Sequence, residues 1–410
     1  MSAAGGIGLR VHGSLACLLA LAPLLASCGG GRVSRDDGAP PPFVFRSLDL
    51  RQQDLLGRPT WRLSSPEARY DIRRRVAQAD RPQGVIFQDG KAAYRLSALS
   101  GTVINDGQVV LLEGAIRVEQ LGDRPMLIEA ERARWLPGRN RLEIDRRPRA
   151  QDGANRLSAR RARFFFDTSL LRLVGEPLLE HWSGRFDPLR PSARGPAEVV
   201  LHASQADWFP KNGALRASGP IRGVRRVGKR PPGQPPQTLT AASLEGSTVG
   251  QEYWLRAPVR FDDPVEAASL QAQDVRIDMR ERQARSDSPF QARRGSLQVS
   301  GQRFEVNEAE QQVSVPAGCL LVQAGDSLRA DACSWNWDNQ EVQAEGAVEL
   351  RRQANRQRSR GDRLSGRLGP QGELTLSRSG GRVVSRFQVP RRSAPRPAGP
   401  PPPGPEPIRL

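Results

Sequence analysis

The sequence has few of the residues that build metal sites and active sites. Its 410 residues include three histidines, His12, His181 and His202, and four cysteines, and none of them shows the spacing typical of zinc ligands. Acidic residues are scattered through predicted turns beside arginines, and neither later histidine has a nucleophile motif nearby. These absences argue against an enzyme, and we expect neither a cofactor nor a metal ion.

Aromatic residues and long apolar runs are also scarce. Phe, Trp and Tyr make up 5% of the chain, so the aromatic girdles of an outer-membrane β-barrel are missing. The apolar run at 15–25 would rise about 16 Å as a helix, roughly half of a hydrocarbon core. It ends in Leu-Ala-Ser-Cys28, the pattern of a lipoprotein signal with a lipid anchor on Cys28. An ordinary secretory signal with an incidental cysteine is the alternative, and either one predicts export from the cytoplasm.

Lysine is nearly absent, although the formal net charge is +18. The three lysines leave almost all of the positive charge to arginine. Such a charge usually suggests nucleic acid as a partner, but an exported protein does not meet nucleic acid in its normal work. Anionic lipid head groups or phosphorylated glycans fit better. An arginine-rich composition without any binding role is the other explanation.

One pattern recurs nine times from Leu96 onward, and it dominates the sequence. Each copy begins with Leu-x-Ala or a variant, passes a polar turn about ten residues later, and continues with a second apolar pair at positions fourteen and sixteen. The copies start at Leu96, Ile128, Leu157, Leu201, Leu239, Leu270, Leu297, Leu328 and Leu364. Apolar pairs with period two on both sides of a turn predict β-hairpins.

The turns and the glycines refine that prediction. Asn105-Asp106-Gly107 and 210–213 fall at the same offset and tolerate tight backbone. Gly114 and Gly346 lie at position eighteen, where they indicate a bulge or a corner. No single hairpin could bury its apolar face, so neighbouring hairpins must stack around one core. The predicted fold is all-β, an extended jellyroll built from about nine repeated hairpins.

Composition divides the chain into five predicted parts. Residues 1–28 are the lipoprotein signal, 29–42 a flexible linker, and 390–410 a disordered Pro-rich tail. The body divides into a first jellyroll, 43–200, and a second set of repeats, 201–389, with Pro/Arg-rich loops at 183–198 and 226–237 as weak boundaries. Cys319 and Cys333 lie in adjacent repeats and are a possible disulfide in an oxidising compartment.

A segment before the first repeat carries a specific resemblance. Residues 57–70 read Gly-x-Pro-x-Trp-x-Leu-x-Ser-x-x-Ala-x-Tyr, and they stand between a membrane-tethered start and the Leu-x-Ala hairpins. This arrangement resembles LptC, the periplasmic component of the lipopolysaccharide export machine, and the later repeats are similar to the wider OstA-like jellyroll group that includes LptA. The usual LptC has a transmembrane helix and is about half as long, so this chain departs from the pattern in its anchor and in its extra repeats.

The resemblance implies a carrier of lipopolysaccharide with an apolar trough between two sheet surfaces. We expect trough residues of slender, aliphatic type: Leu96, Ala98, Val110, Leu112, Ile128, Ala130, Leu142, Ile144, Leu157, Ala159, Leu171, Leu173, Leu201, Ala203, Leu215, Ala217, Tyr253 and Leu255. The alternative for these residues is the filled core of a β-sandwich, in an exported structural or adhesive protein.

The resemblance also implies partners at both ends of the body. Strand edges at 61–72 would join the periplasmic domains of the inner-membrane ABC transporter, and edges at 373–377 and 382–389 would meet LptA or the LptD translocon. Pro-rich flanks that blunt the second edge are the alternative. The expected location is the periplasm, with the lipid anchor in the inner membrane more than in the outer one.

Overall fold

The fold consists of short antiparallel strands joined by tight turns. The structure is a computed structural model, and it describes residues 43–190, 194–226, 233–353, 356–368 and 373–386. The predicted signal peptide, Cys28, the linker and the Pro-rich tail lie outside the described residues. Contacts group Pro42–Leu410 into one unit. The all-β prediction is confirmed, since the described residues hold 34 strands, no α-helix and one short 3-10 turn, Pro137–Arg139.

The strands are numbered along the chain. The first ten are β1 (Phe43–Phe45), β2 (Leu48–Gln53), β3 (Pro59–Ser65), β4 (Glu67–Asp71), β5 (Val76–Asp80), β6 (Gln83–Gln88), β7 (Lys91–Ser97), β8 (Ser100–Ile104), β9 (Val109–Gln120) and β10 (Met126–Leu136). The next twelve are β11 (Arg141–Arg146), β12 (Arg149–Gln151), β13 (Asn155–Ser158), β14 (Arg161–Phe165), β15 (Leu170–Val174), β16 (Leu178–His181), β17 (Val199–His202), β18 (Gln205–Phe209), β19 (Ala214–Arg225), β20 (Gln237–Ser247), β21 (Glu252–Asp263) and β22 (Ala268–Asp278). The last twelve are β23 (Gln283–Ser286), β24 (Phe290–Arg294), β25 (Leu297–Gly301), β26 (Arg303–Asn307), β27 (Gln312–Ala317), β28 (Cys319–Gln323), β29 (Asp326–Ala330), β30 (Ala332–Asn336), β31 (Glu341–Arg352), β32 (Gln357–Arg367), β33 (Leu374–Ser377) and β34 (Val384–Arg386).

The pairings arrange these strands into two walls that meet along a line of corners. Wall A runs from β1 through β4, β5, β8, β11, β14, β15, β18, β23, β26, β27 and β30 to β33. Wall B runs from β2 through β3, β6, β7, β12, β13, β16, β17, β24, β25, β28 and β29 to β34. Eight long strands, β9, β10, β19, β20, β21, β22, β31 and β32, bend at the corner and belong to both walls. Hairpin turns form the free rim of each wall.

The corners lie where the sequence pattern predicts them. The β19 register shifts between Ser218 and Ile221, across Gly219, and the β31 register shifts between Glu345 and Val348, across Gly346. Both glycines have positive φ, +84° and +74°, a conformation that side-chain-bearing residues rarely adopt. The bulge prediction is therefore confirmed. In eight of the nine copies the Leu-x-Ala motif precedes a corner, so one copy contains a wall B strand, a corner and then the hairpin of wall A. The copy predicted to start at Leu364 differs, because Leu364 lies after the corner of β32 and pairs in wall A.

The two walls face each other at an angle. Trp61 on β3, the second strand of wall B, contacts Trp135 on β10, the sixth strand of wall A, with ring centroids 5.5 Å apart. The facing strands therefore differ by four places in the order of their walls, and we call this difference the wall offset. Beside a corner the wall offset is one strand, because Phe290 on β24 packs on Phe304 of β26, with ring centroids 4.9 Å apart. Residues near one rim thus face residues of the other wall about four strands further along the chain.

Candidate functional site

The space between the walls is filled with aromatic side chains over residues 61–182, which we call the closed section. Tyr94 reaches across from wall B and packs edge-on against Phe164 and Phe166 of wall A, with centroids 5.5 and 5.2 Å apart. Its hydroxyl lies 2.5 Å from Ser169 Oγ, and burial raises the pKa of Tyr94. Tyr94, Trp135, Phe164 and Phe166 are all 0–1% exposed. The closed section is thus packed from the corner to the rim.

Most of the sequence-predicted trough residues lie in this closed section. Exposure of 7% or less is found at Leu96, Ala98, Val110, Leu112, Ile128, Ala130, Leu142, Ile144, Leu157, Leu171 and Leu173. Ala159 is partly buried against the same core. The structure therefore brings these residues together as a filled core, which is the alternative that the sequence left open for them.

Further along the chain the interior opens toward the rim, and we call residues 201–313 the open section. Near the corner its inner residues remain buried, as at Leu255, Val259 and Phe304. Toward the rim the inner residues are only partly buried: Leu201, Leu239, Tyr253, Leu270, Ile277, Ala284, Ala292, Val306 and Val313. The same strands also carry a cavity of about 620 Å³, but its lining consists mainly of outward-facing residues such as Glu245, Trp254, Arg276, Arg285 and Glu305, so it opens on the outer face of wall A and not between the walls.

Small residues make this opening possible. Gly223 occupies an inner position of wall B between Leu201 and Leu239, where a Cβ would approach Leu201 Cδ2 to 2.8 Å and Leu239 Cβ to 3.3 Å. Ala203 and Ala217 flank the same region and are partly buried. Of the sequence-predicted trough residues in this section, Leu215 and Leu255 are buried, while Leu201, Ala203, Ala217 and Tyr253 are partly buried.

The sequence analysis missed Ile277, Ala284, Val306 and Val313. A signal was present for the first of them, since Val275 and Ile277 are an apolar pair with period two in the copy that starts at Leu270. The others lie on the short strands β23, β26 and β27, where isolated apolar residues alternate with charged ones.

Tyr253 stands where the closed section meets the open one. Burial raises the pKa of Tyr253 to about 12, and the carboxylate of Asp152 in the opposite rim acts in the same direction. The phenol therefore stays neutral at any physiological pH. It presents a ring and a hydroxyl to the space between the walls without adding charge.

Comparisons with known proteins assign the first part of the chain. Residues 16–176 match the family model described as lipopolysaccharide-assembly, LptC-related. We call the described residues of this match, 43–176, the LptC-related part. Among solved structures, the chain is similar to LptH from Pseudomonas aeruginosa, which is described as the LptA homologous periplasmic component of the lipopolysaccharide transport device. The match covers 28% of this chain and 82% of the LptH chain, with 16% sequence identity and a TM-score of 0.24. The search of curated proteins found no match.

The LptC-related part ends almost where the closed section ends. Its described residues, 43–176, contain Trp61, Tyr94, Trp135, Phe164 and Phe166, whereas every residue of the open section follows it. The cavity and the partly buried aliphatic side chains thus belong to the repeats beyond the family match.

The free edges of the LptC-related part differ from the sequence prediction. The expectation that 61–72 forms the edge is wrong, because β3 pairs with both β2 and β6, and β4 pairs with both β1 and β5. Among the described residues, the outer edges are β1 in wall A and β2 in wall B. Phe43, Val44 and Phe45 on β1 are 57%, 60% and 44% exposed. At the other end, the described edges are β33 and β34, which agrees with the predicted position.

A salt-bridge cluster joins the two rims over the open section. Arg225 ends β19 at the rim of wall B, whereas Glu308 lies in the wall A turn between β26 and β27. The Arg225 Nη2 atom lies 3.4 Å from both carboxylate oxygens of Glu308, and Arg282 Nη2 lies 3.2 Å from Glu308 Oε1. Although partial burial raises the pKa of Glu308, the two guanidinium groups lower it more, so the net shift is downward.

A second cavity, of about 960 Å³, lies at the rim of the LptC-related part. It is lined by Trp61, by the turn at 105–109, and by Arg75, Arg139 and Arg141. Much of its lining is polar or charged, in contrast to the aliphatic inner face of the open section. Among the described residues, no helix is long and apolar enough to span a membrane, and no group of three or more potential metal ligands occurs.

Cys319 and Cys333 are joined by a disulfide that links the walls. Cys319 begins β28 in wall B and Cys333 lies on β30 in wall A, with Cα atoms 5.8 Å apart. Both residues are at most 7% exposed. The bond lies next to the corner and follows the open section in the chain.

Proposed function

We propose that this protein is a non-enzymatic carrier of lipopolysaccharide in the periplasm. It accepts the lipid from the inner-membrane ABC transporter and passes it along a β-jellyroll bridge towards the outer membrane. The observation that carries the proposal is the open section, an inner face whose aliphatic residues are only partly buried towards the rim, in a chain whose residues 16–176 match the LptC-related family model. Each acyl methylene removed from water contributes about 0.8 kcal/mol, so this inner face, which we call the groove, can hold a lipid tail without polar contacts.

Both ends of the body are suited to strand addition. The first strand of wall A, β1, is exposed at Phe43 and Phe45, whereas the strands after it have buried inner residues such as Ala77 and Val103. A β-jellyroll domain of the transporter would continue β1 and β2 and cover this face. LptA or the LptD translocon would continue β33 and β34. In this proposal Cys28 carries the lipid anchor, in the inner membrane rather than the outer one.

The proposal is tested by photocrosslinking in living cells. A photoreactive residue replaces Ile277 or Val306, whose side chains face the groove. The matched controls are the adjacent residues Arg276 and Glu305, which point to the outer face of the same strands. We expect lipopolysaccharide adducts at 277 and 306 that require ATP hydrolysis by the transporter, and none at 276 or 305.

The second candidate function is an exported structural β-repeat lipoprotein, and the packed closed section favours it. Under that function the groove would be a packing defect without a ligand. Absence of adducts at both 277 and 306, in a variant that folds and reaches the periplasm, would decide for the structural protein and against the carrier.

A further inference from the structure

The salt-bridge cluster at the rim lies directly over the partly buried apolar residues of the open section. Arg225 belongs to wall B, and both Glu308 and Arg282 belong to turns of wall A, so the Arg225–Glu308 pair connects the two rims. Val306 lies two residues before Glu308 and Ala284 two residues after Arg282, and both are partly buried inner residues of the open section. A lipid tail entering from the open side must pass this connection.

The contacts within the cluster are longer than those that arginines make with Glu349. Arg225 and Arg282 approach Glu308 to 3.4 and 3.2 Å. On the outer face Arg358 and Arg351 approach Glu349 to 2.5 and 2.7 Å. Two guanidinium groups share one carboxylate at Glu308, so the cluster retains one positive charge. The arginine side chains are also 47% and 55% exposed, which keeps them accessible from solvent.

We propose that Arg225, Arg282 and Glu308 form a rim latch, and that a phosphate group on the cargo opens it by replacing the Glu308 carboxylate between the two arginines. A phosphate presents more acceptor oxygens than a carboxylate and matches the guanidinium fork in the same bidentate way. The exchange moves Glu308 to solvent, separates the rims, and leaves the acyl chains over the groove. This inference rests on the proposed carrier function, and it adds the head-group chemistry that the groove selects.

Acid is not the signal that opens this latch. The two arginines hold the pKa of Glu308 below its ordinary value, so its carboxylate stays ionised at neutral and mildly acidic pH. Opening therefore requires a competing anion. Salt also weakens the latch, because its members are partly exposed and screened.

The test measures the affinity of the full chain for two single-chain amphiphiles, dodecyl phosphate and dodecyl glucoside, with inorganic phosphate as a third titrant. Isothermal titration calorimetry gives the dissociation constants. We expect dodecyl phosphate to bind about tenfold more tightly than the glucoside, as one charge-assisted hydrogen bond predicts. Inorganic phosphate should bind much more weakly than dodecyl phosphate, since it gains nothing from the groove.

Variants then separate the latch from the groove. The double substitution Arg225→Gln with Arg282→Gln should abolish the preference for phosphate and leave glucoside binding unchanged. Glu308→Gln should strengthen dodecyl phosphate binding several-fold, because the competing carboxylate is gone. Glu345→Gln is the matched control, since Glu345 pairs with Arg363 at 3.2 Å on exposed strands away from the groove. Thermal unfolding verifies that each variant folds.

The outcomes distinguish this proposal from the one on which it rests. Glucoside binding with no preference for phosphate overturns the latch and leaves the carrier function intact. Inorganic phosphate binding as tightly as dodecyl phosphate overturns the assignment to a lipid head group. Binding of neither amphiphile contradicts both the latch and the groove.

Discussion

The closed and open sections have the same strand pattern but different interiors. In the closed section Trp61, Tyr94 and Trp135 span the gap between the walls and are at most 7% exposed. In the open section the corresponding rim positions hold Ile277 and Val306, which remain partly exposed. One repeat therefore builds either a packed core or a groove, depending on the size of the residues near the rim.

Because of this difference, stability and ligand binding depend on different sections of the same chain. Protein interiors reach crystal-like packing when side chains interdigitate, and the closed section has that density of buried aromatic residues. The open section lacks this packing near the rim, and its inner residues are fully buried only near the corner, as at Leu255 and Phe304. We infer that the first section anchors the body and that the second one handles the ligand.

The comparison is tested most strongly by placing an arginine in each section. From the sequence alone, Leu173→Arg would block transport and leave the fold intact. Leu173 is 0% exposed in the closed section, so the variant would bury an unpaired charge, and we now expect a loss of more than about 4 kcal/mol or failure to fold. Ile277→Arg should fold, because its guanidinium can reach solvent at the rim, and should lose amphiphile binding.

Circular dichroism and the urea midpoint measure the first effect, and calorimetric titration with dodecyl glucoside measures the second. Unfolding of Ile277→Arg, or normal stability of Leu173→Arg, would contradict the division into two sections.

Truncation to alanine should show the same contrast with smaller effects. Trp135→Ala removes a side chain that packs against Trp61 and is 1% exposed, and we expect a loss of about 3–5 kcal/mol. Val306→Ala removes partly exposed methyl groups and should cost about 1 kcal/mol or less. Because repeat proteins can unfold in parts, hydrogen exchange should be followed in both sections. Equal losses would show that the open section is packed as tightly as the closed one.

Sequence patterning predicted the hairpins and corners because these features depend on local residues. Period two in Val110 and Leu112 defines a strand face, and Gly346 supplies the positive φ that a bend requires. The prediction of nine stacked hairpins followed from such residues. The place of each hairpin in the two walls also depends on the corner directly after the Leu-x-Ala motif, which the sequence pattern did not predict.

The division between core and groove could not be predicted in the same way. Trp61 meets Trp135, 74 positions further along the chain, because the walls cross with an offset of four strands. That offset results from the twist of both sheets and has no signature in any single copy of the repeat. The pattern therefore placed Leu112 and Leu173 correctly in the interior, but it held no information about what faces them.

The disulfide should stabilise the region that follows the groove. Cys319 and Cys333 enclose a loop with a sequence separation of 14 and tie wall B to wall A. A loop of this size predicts a loss of about 3 kcal/mol when the bond is absent. We expect Cys319→Ala with Cys333→Ala to increase hydrogen exchange in β28–β31 and to leave the closed section unchanged. Mass spectrometry of unreduced peptides tests the bond itself, and free thiols at both positions would contradict it.

The smallest expected effect is on stability, when the central carboxylate is removed from the cluster with long ion pairs at Glu308 or from the cluster with short ion pairs at Glu349. Arg358, Arg351 and Arg360 surround Glu349, and their hydrogen bonds lower its pKa to about 2. A carboxyl group with a lowered folded-state pKa contributes stability above its unfolded value near 4.5, and the contribution disappears as pH falls towards 2. Because the arginines are 44–60% exposed, solvent screening limits the contribution to about 1 kcal/mol.

Glu349→Gln should therefore lower the urea midpoint slightly at pH 7 and have no effect near pH 2, whereas Glu308→Gln should change stability less at either pH. The difference between each variant and the wild type cancels the titration of the other carboxylates. A larger stability loss for Glu308→Gln than for Glu349→Gln would mean that the rim cluster is a structural tie between the walls, and a tie of that strength could not be displaced by a phosphate group.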